Sequence, residues 1–170
     1  RHQRVWRRYL AERATCAVVE VEGDAVVPVE TVYPRQAVRA SVLRRRIQPL
    51  LPRFLQPLQE RAPRIKADFA EPSLDPTHPE KIISLLDVDR TVGPVELPAG
   101  TGAARGQLRR FLEESLPRYA DFRSDPRRDV TSGLSPYLHF GQISPVEVAW
   151  EVSRVGGPGA DAFLEELIVR

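Results

Sequence analysis

Proline sets the first limit on what this chain can fold into. Five of its sixteen prolines, Pro57, Pro63, Pro72, Pro76 and Pro79, crowd into one stretch with little hydrophobic periodicity. Each removes a backbone donor and crowds the turn before it, so neither a long helix nor a central strand can run through residues 57–79. The stretch reads as an extended connection that separates two differently patterned parts of the chain.

Ahead of it, residues 1–14 set Val5, Trp6, Tyr9 and Leu10 at helical spacing between arginines. That is an amphipathic helix whose apolar stripe, Trp6 included, should pack on a sheet. Cys16–Val21 is a short β-branched run, Gly23 and Asp24 supply a turn, and Ala25–Val29 is a second extended stretch broken by Pro28. Helix, strand, turn, strand predicts the end of an α/β domain over residues 1–34. Its other strands would precede Arg1, because one or two strands cannot hold a sheet. Residues 35–78 open with a basic amphipathic helix in which Val38, Val42, Leu43, Ile47, Leu50, Leu51, Phe54 and Leu55 alternate with Arg39, Arg44, Arg45 and Arg46. Pro49 and Pro52 should break it or kink it into a second short helix.

Residues 79–170 read as all-helical. Pro79–Val88 is a short helix, and Thr101–Tyr119 carries a core stripe of Leu108, Phe111, Leu112, Leu116 and Tyr119. Ser144-Pro145-Val146-Glu147 is a capping box, with the serine oxygen on an orphan amide and the glutamate reaching back to the cap. The helix it starts runs to about Arg154 and holds Trp150 in its packed face. Gly156-Gly157-Pro158-Gly159 ends it, and Phe163, Leu164, Leu167 and Ile168 mark one more helix.

With 42% hydrophobic and 28% charged residues the chain is globular in composition. Nothing approaches the roughly 18 apolar residues of a membrane span, and no signal-peptide core is visible. From the absence of methionine and the opening Arg1 the chain is expected to be an internal fragment of a protein that is a monomer when intact. One cysteine, Cys16, excludes an internal disulfide and a four-cysteine zinc site, and fits a reducing, cytoplasmic setting. His2, His78 and His139 stand too far apart to pair as ligands, so no metal is expected. The net charge of +2 hides an asymmetry: residues 1–66 hold 14 basic and 6 acidic side chains, and residues 67–170 hold 11 and 17. The basic part is either a solvated helix face or a nucleic-acid surface.

The segment FRSDPRRDVTSGLSPYLHF, residues 122–140, changes from polar and irregular to apolar at Leu134. Ser135-Pro136 signals a helix start, so first-turn amides there lack intrahelical partners and point back toward Thr131, Ser132 and Gly133. Two hydroxyls and a glycine at such a turn can cradle a phosphate. The same residues also describe a capped helix after a surface loop, and by themselves they leave both readings open.

The run TSGLSPYLHFGQIS at Thr131–Ser144 closely resembles the flavin-phosphate loop of the photolyase and cryptochrome family, in which a tyrosine also stands twelve positions before the first loop residue, as Tyr119 does before Thr131. His139-Phe140-Gly141-Gln142, preceded by Arg123-Ser124-Asp125-Pro126, looks like the class II cyclobutane pyrimidine dimer photolyases in particular. The closing AFLEELIVR, residues 162–170, is similar to the class II segment just before its flavin- and substrate-facing region. Val26-Val27-Pro28 followed by the helix at Arg39–Phe54 looks like the family's passage from antenna domain to linker. The likeness is closest over 119–170, weaker over 1–55 and poorest over 56–97.

The resemblance implies the end of an antenna-type, Rossmann-like α/β domain at 1–34. An interdomain helix and proline-rich linker would follow at 35–78, and the first part of an all-α FAD-binding domain at 79–170. Tyr119 would lie against the FAD nucleotide, and Thr131, Ser132, Gly133, Leu134 and Ser135 would hold its pyrophosphate through hydroxyls and main-chain amides. The chain departs from the family at Gly133, where many relatives carry asparagine or arginine, so only a backbone role survives there. The implied activity is light-driven repair of cyclobutane pyrimidine dimers in damaged DNA by electron transfer from reduced FAD, with an antenna pigment as a further partner. The alternative is a cryptochrome-like flavin photoreceptor without repair. Catalytic and lesion-contacting residues would lie beyond Arg170, which leaves Glu165 and Glu166 as solvated helix positions and His139 as structure rather than a proton donor. Residues 1–170 alone are expected to be inactive, poorly stable and weak in flavin binding.

Overall fold

A computed structural model describes residues 2–33, 37, 39–59, 61–62, 64, 75 and 77–170, with residues 2–4 described by backbone alone. Helix α1 spans His2–Arg13, α2 Val29–Val32 and α3 Ala40–Ile47; a 3-10 turn at Gln48–Leu50 leads into α4, Leu51–Phe54. Then come α5 at Pro79–Ser84 and α6 at Thr101–Arg110, which passes through a π-helical turn at Phe111–Ser115 into α7 at Leu116–Phe122. Ser135–His139 form α8, Pro145–Val155 α9 and Gly157–Val169 α10. The chain divides into two compact units, residues 1–58 with 99–170, and residues 59–98.

The described residues contain no β-strand, which corrects the expectation for Cys16–Val21 and Ala25–Val29. An extended segment without a ladder partner leaves its N–H and C=O groups to water, and Pro28 removes a further donor. Val26 and Val27 bury their side chains all the same. They join Val32, Ile47 and Ala149 in a cluster flanked by Leu43, Leu51 and Phe54 of the basic helix and by Leu164, Leu167 and Ile168 of α10. The valines are used as packing rather than as sheet. With no sheet to cover, the stripe of α1 is exposed, Trp6 at 68%, so its expected core role does not hold. The expected boundary at residues 34 and 35 and most of the proline-rich connection lie outside the described residues.

The larger unit's main core gathers Ala104, Leu108, Phe111, Leu116, Leu134, Tyr137, Ile143, Val148, Val152, Ala160 and Phe163. Helix α10 is its hub and packs on α7, α9 and α3. Two local features set its geometry. The segment expected as one helix over 101–119 contains a wide turn, in which the Leu116 amide donates to Phe111 O, five residues back. Pro117, second residue of α7, has no amide and would press on the carbonyl four residues earlier, and the wide turn gives it room. Phe111 and Leu116, which a regular helix would turn well apart, are both 1% exposed. Gly159 is the other feature. A Cβ there would fall inside van der Waals contact of the Leu116 carbonyl oxygen and 3.0 Å from its carbonyl carbon, so α10 lies on the backbone of α7 at this point. Gly156, at φ +69°, does end α9, but Gly157, Pro158 and Gly159 already form the first turn of α10 instead of a long terminator.

The smaller unit is built around α5. Arg90 donates to the carbonyls of Ile83, Ser84 and Leu86, satisfying acceptors that the helix end leaves open. Leu85 and Leu86 lie past that end and are exposed.

Candidate functional site

The loop between α7 and α8 is fixed at both ends by apolar anchors. Val130 and Leu134 are buried, Ser132 is half-buried, and Thr131 and Gly133 are exposed between them. Upstream, Asp125 folds the chain back by accepting from the Arg127 amide at 3.1 Å and its guanidinium at 2.9 and 3.0 Å. The Arg127 side chain first, and its amide second, hold that carboxyl below the usual aspartate range. Gly133 takes φ +63°, the left-handed region that glycine enters without strain. Gln107 of α6 donates from Nε2 to Ser132 O at 2.8 Å, and a Cβ on Gly133 would stand 2.8 Å from the same nitrogen.

The donors of this turn divide into engaged and available. The Leu134 amide donates to Ser132 Oγ at 3.3 Å, and the Thr131 hydroxyl donates to Asp129 Oδ1 at 3.1 Å. Leu138 donates to Leu134 O at 2.9 Å and closes the first turn of α8. Among the described residues the amides of Thr131, Ser132, Gly133 and Ser135 have no hydrogen-bond partner, and Ser132 still has its hydroxyl proton to give. Ser135 is the first residue of α8 and not its cap; Leu134 holds that position without a side-chain bond. The hydroxyl that organises this start lies three residues earlier, at Ser132. At α9 the cap is as expected on one side only. Ser144 Oγ accepts from the Val146 amide at 3.2 Å, while Glu147, expected to complete the box, accepts instead from Arg105 at 2.6 Å.

Tyr119 enters the same core from α7. Its ring stands edge-on to Phe111 at 5.8 Å and to Phe163 at 5.4 Å, against the cluster that contains Leu134. Burial first, and the nearby Glu166 carboxylate second, push its hydroxyl pKa up, while Arg123 opposes them. Glu166 is not a free solvated position, since Arg123 donates to it at 2.5 Å. Nor is Glu165, which takes a two-pronged bond from Arg44 that ties α10 to α3. His139 is exposed, edge-on to Phe140. It borders a cavity with Asp24, Leu138 and Ile143, whose lining does not include residues 131–135. Trp150 is half-buried on α9.

Over 168 residues, 99% of its length, the chain is 34% identical to the deoxyribodipyrimidine photo-lyase of Methanothermobacter thermautotrophicus, and it covers 37% of that protein. To the protein of the same name from Potorous tridactylus it is 31% identical over 157 residues, 89% of this chain and 29% of that one. The Arabidopsis thaliana deoxyribodipyrimidine photo-lyase is 32% identical over 179 aligned positions, covering 91% of this chain and 33% of the plant protein. These relatives support the photolyase family for this chain. The photolyase-related chain spans about a third of the length of the curated relatives it matches. No protein-family model matches it. Among its described residues no helix is long and apolar enough to cross a membrane.

Sequence reasoning missed four groups in this photolyase-related chain. Gln107, which holds the turn by its carbonyl, reads in sequence as one polar residue on a helix. The Arg123 and Glu166 pair beside Tyr119 joins residues 43 positions apart. Gly159 looks like a helix breaker because its neighbours are Gly157 and Pro158. A local signal existed only for Asp129, two residues before a threonine, a common spacing for a side-chain turn.

Proposed function

We propose that this chain supplies the FAD-phosphate-holding share of a class II type photolyase, which repairs cyclobutane pyrimidine dimers in DNA under light. The observation that carries the reading is the donor set of the turn. The amides of Thr131, Ser132, Gly133 and Ser135 and the hydroxyl of Ser132 are donors without protein acceptors among the described residues, on a backbone anchored by Val130 and Leu134. A diphosphate offers acceptors only, so donors alone are the matching chemistry, and main-chain amides supply it with little reorganisation.

On this reading Thr131, Ser132, Gly133 and Ser135 hold the pyrophosphate through their amides. Ser132 adds its hydroxyl, and Leu134 acts as the apolar anchor, its own amide being engaged. Tyr119 presents a neutral, half-buried ring to the nucleotide, with its hydroxyl kept protonated by burial. When bound, reduced FAD supplies the electron that opens the cyclobutane ring, after direct excitation or through an antenna pigment. The chain's own work is to bind and orient, and the lesion is docked as flipped-out nucleotides. Residues 1–34 then lead out of the antenna domain, 35–78 form the linker and 79–170 begin the helical FAD-binding domain.

The test is photoreactivation by the full-length gene product, purified with its chromophore, on DNA carrying pyrimidine dimers. Light-dependent loss of dimers supports the reading. Retained flavin without such loss overturns repair in favour of a photoreceptor, and absence of flavin overturns the cofactor assignment as well.

A further inference from the structure

Residues 37–59 contain five arginines and neither a lysine nor an acid. The backbone stays in the right-handed helical region from α3 through the 3-10 turn into α4, with Gln48 at φ −49° and Leu51 at φ −53°. Side chains seven apart on such a path, three residues of it in the tighter 3-10 turn, lie within about 40° of one another, two turns further along the axis. Arg46 and Arg53 have that spacing; Arg39 stands one residue before α3 on extended backbone, at φ −145°, and all three are exposed, as is Arg45.

The fifth, Arg44, is committed to Glu165. For Arg39, Arg45, Arg46 and Arg53 no carboxylate lies within ion-pair distance among the described residues. Two of them are braced on aromatic rings instead, Arg46 over Tyr33 at 4.4 Å and Arg53 over Phe54 at 5.1 Å. Bracing a guanidinium on a ring lowers the entropy it loses on meeting an anion and leaves its N–H edge free to donate.

We propose that this edge of α3 and α4 is a second contact surface for DNA, gripping the phosphate backbone without reading sequence. Three features point to a phosphate polymer. Arginine's planar fork matches phosphate oxygens in pairs. Arg46 and Arg53 stand roughly 10–12 Å apart along the axis, with Arg45 beside them, where a duplex offers several phosphates. The apolar face of the same helix, Leu43, Ile47, Leu51 and Phe54, is spent on the protein's own core, which leaves nothing to lay into a lipid surface. The choice of DNA among phosphate polymers rests on the repair reading, but the surface is separate in sequence from the Thr131–Ser135 turn and makes a different prediction.

The experiment measures binding of the full-length protein, in the dark, to an undamaged random-sequence duplex across a salt series. The triple variant Arg39→Gln, Arg46→Gln and Arg53→Gln should flatten the dependence of log affinity on log salt by about two to three, close to one unit per lost phosphate contact. At low salt its affinity should fall by roughly tenfold or more. The lysine triple variant, which keeps the charges, should retain the slope, an outcome that a merely structural role of the arginines would not give. An unchanged slope in the glutamine variant overturns the proposal, as does lost binding to phosphatidylserine vesicles with unchanged DNA binding. Photoreactivation at saturating damaged DNA separates the two readings: a flattened slope in a protein that never repairs leaves the surface standing and removes only the repair assignment.

Discussion

Replacing Gly159 with alanine puts a methyl carbon where the Leu116 carbonyl already is. The new atom would stand 3.0 Å from the carbonyl carbon, well inside contact of its oxygen, and 3.8 Å from Tyr119 Cβ. A carbon and a carbonyl oxygen need about 3.3 Å or more, and the obstacle is backbone in the middle of a helix, which cannot swing aside as a side chain does. Helix α10 must therefore back away from α7, loosening Ala160 and Phe163 in the main core. Overpacking of this kind costs about 1–3 kcal/mol and occasionally more, while alanine in place of helical glycine returns about 0.5–1 kcal/mol. A net loss of about 1 kcal/mol follows, roughly a fivefold shift toward the unfolded state. Urea unfolding of the full-length protein, followed by circular dichroism and by flavin retention, measures it. Gly106 is the internal control, since a Cβ there meets nothing within 4 Å. Gly106→Ala should leave stability unchanged or raise it by about 1 kcal/mol. If Gly159→Ala unfolds at the same urea concentration as the parent, α10 does not lie on the α7 backbone, and the packing that holds Tyr119 in place loses its foundation.

Gln107→Ala removes the donor that holds Ser132 O, and should cost about 1 kcal/mol of turn stability, read as a roughly fivefold weaker flavin affinity with global unfolding little changed. Equal flavin affinity would place the phosphates elsewhere. Gly133→Ala must force an L-residue to φ +63° and displace Gln107, and should cost about 1–2 kcal/mol, with the double variant less than additive because both changes disturb one contact. Ser144→Ala removes the oxygen that caps α9 and should lower the melting temperature by about 2–4 °C, for a loss near 1 kcal/mol. Glu165 has its folded pKa held below the ordinary value, chiefly by the Arg44 hydrogen bond, so the pair's stabilisation is fully present above the ordinary glutamate range and is lost as pH falls through the depressed value. The stability difference between the parent and Glu165→Gln should therefore shrink on acidification below about pH 4.5 and stay level from there to neutrality, as urea midpoints across a pH series would show.

Much of the helical half was legible, because its signals are local. The stripe Leu108, Phe111, Leu116 and Tyr119 is core, Ser144-Pro145 starts a helix, and the helix interrupted at Pro49 and Pro52 divides where proline demands it. The errors come from partners that sequence does not display. Val26 and Val27 look like strand because β-branched residues favour extended backbone, yet a strand needs a ladder, and their burial is met by α3 and α10 instead. Trp6 looks like core because it stands on an apolar stripe, which says nothing about what lies opposite. In the turn, the hydroxyls and the glycine could be read directly, but which amides stay available depended on Ser132, Asp129 and Gln107, and Gln107 lies 25 residues from the carbonyl it holds.

The wide turn at Phe111–Ser115 has a consequence for how this segment tolerates change in length. It contains one residue more than a regular helix joining the same two ends would use. Deleting one residue of the five would let α6 and α7 join as one regular helix between the same two ends, and would press Pro117 onto the carbonyl four residues before it. Leu116 and Tyr119 would keep their side of the helix, and the cost would fall on the turn that now accommodates the proline. The spare residue is thus the room that a proline inside a continuous helix requires, and the length of the segment answers to Pro117 rather than to the aromatic side chains around it.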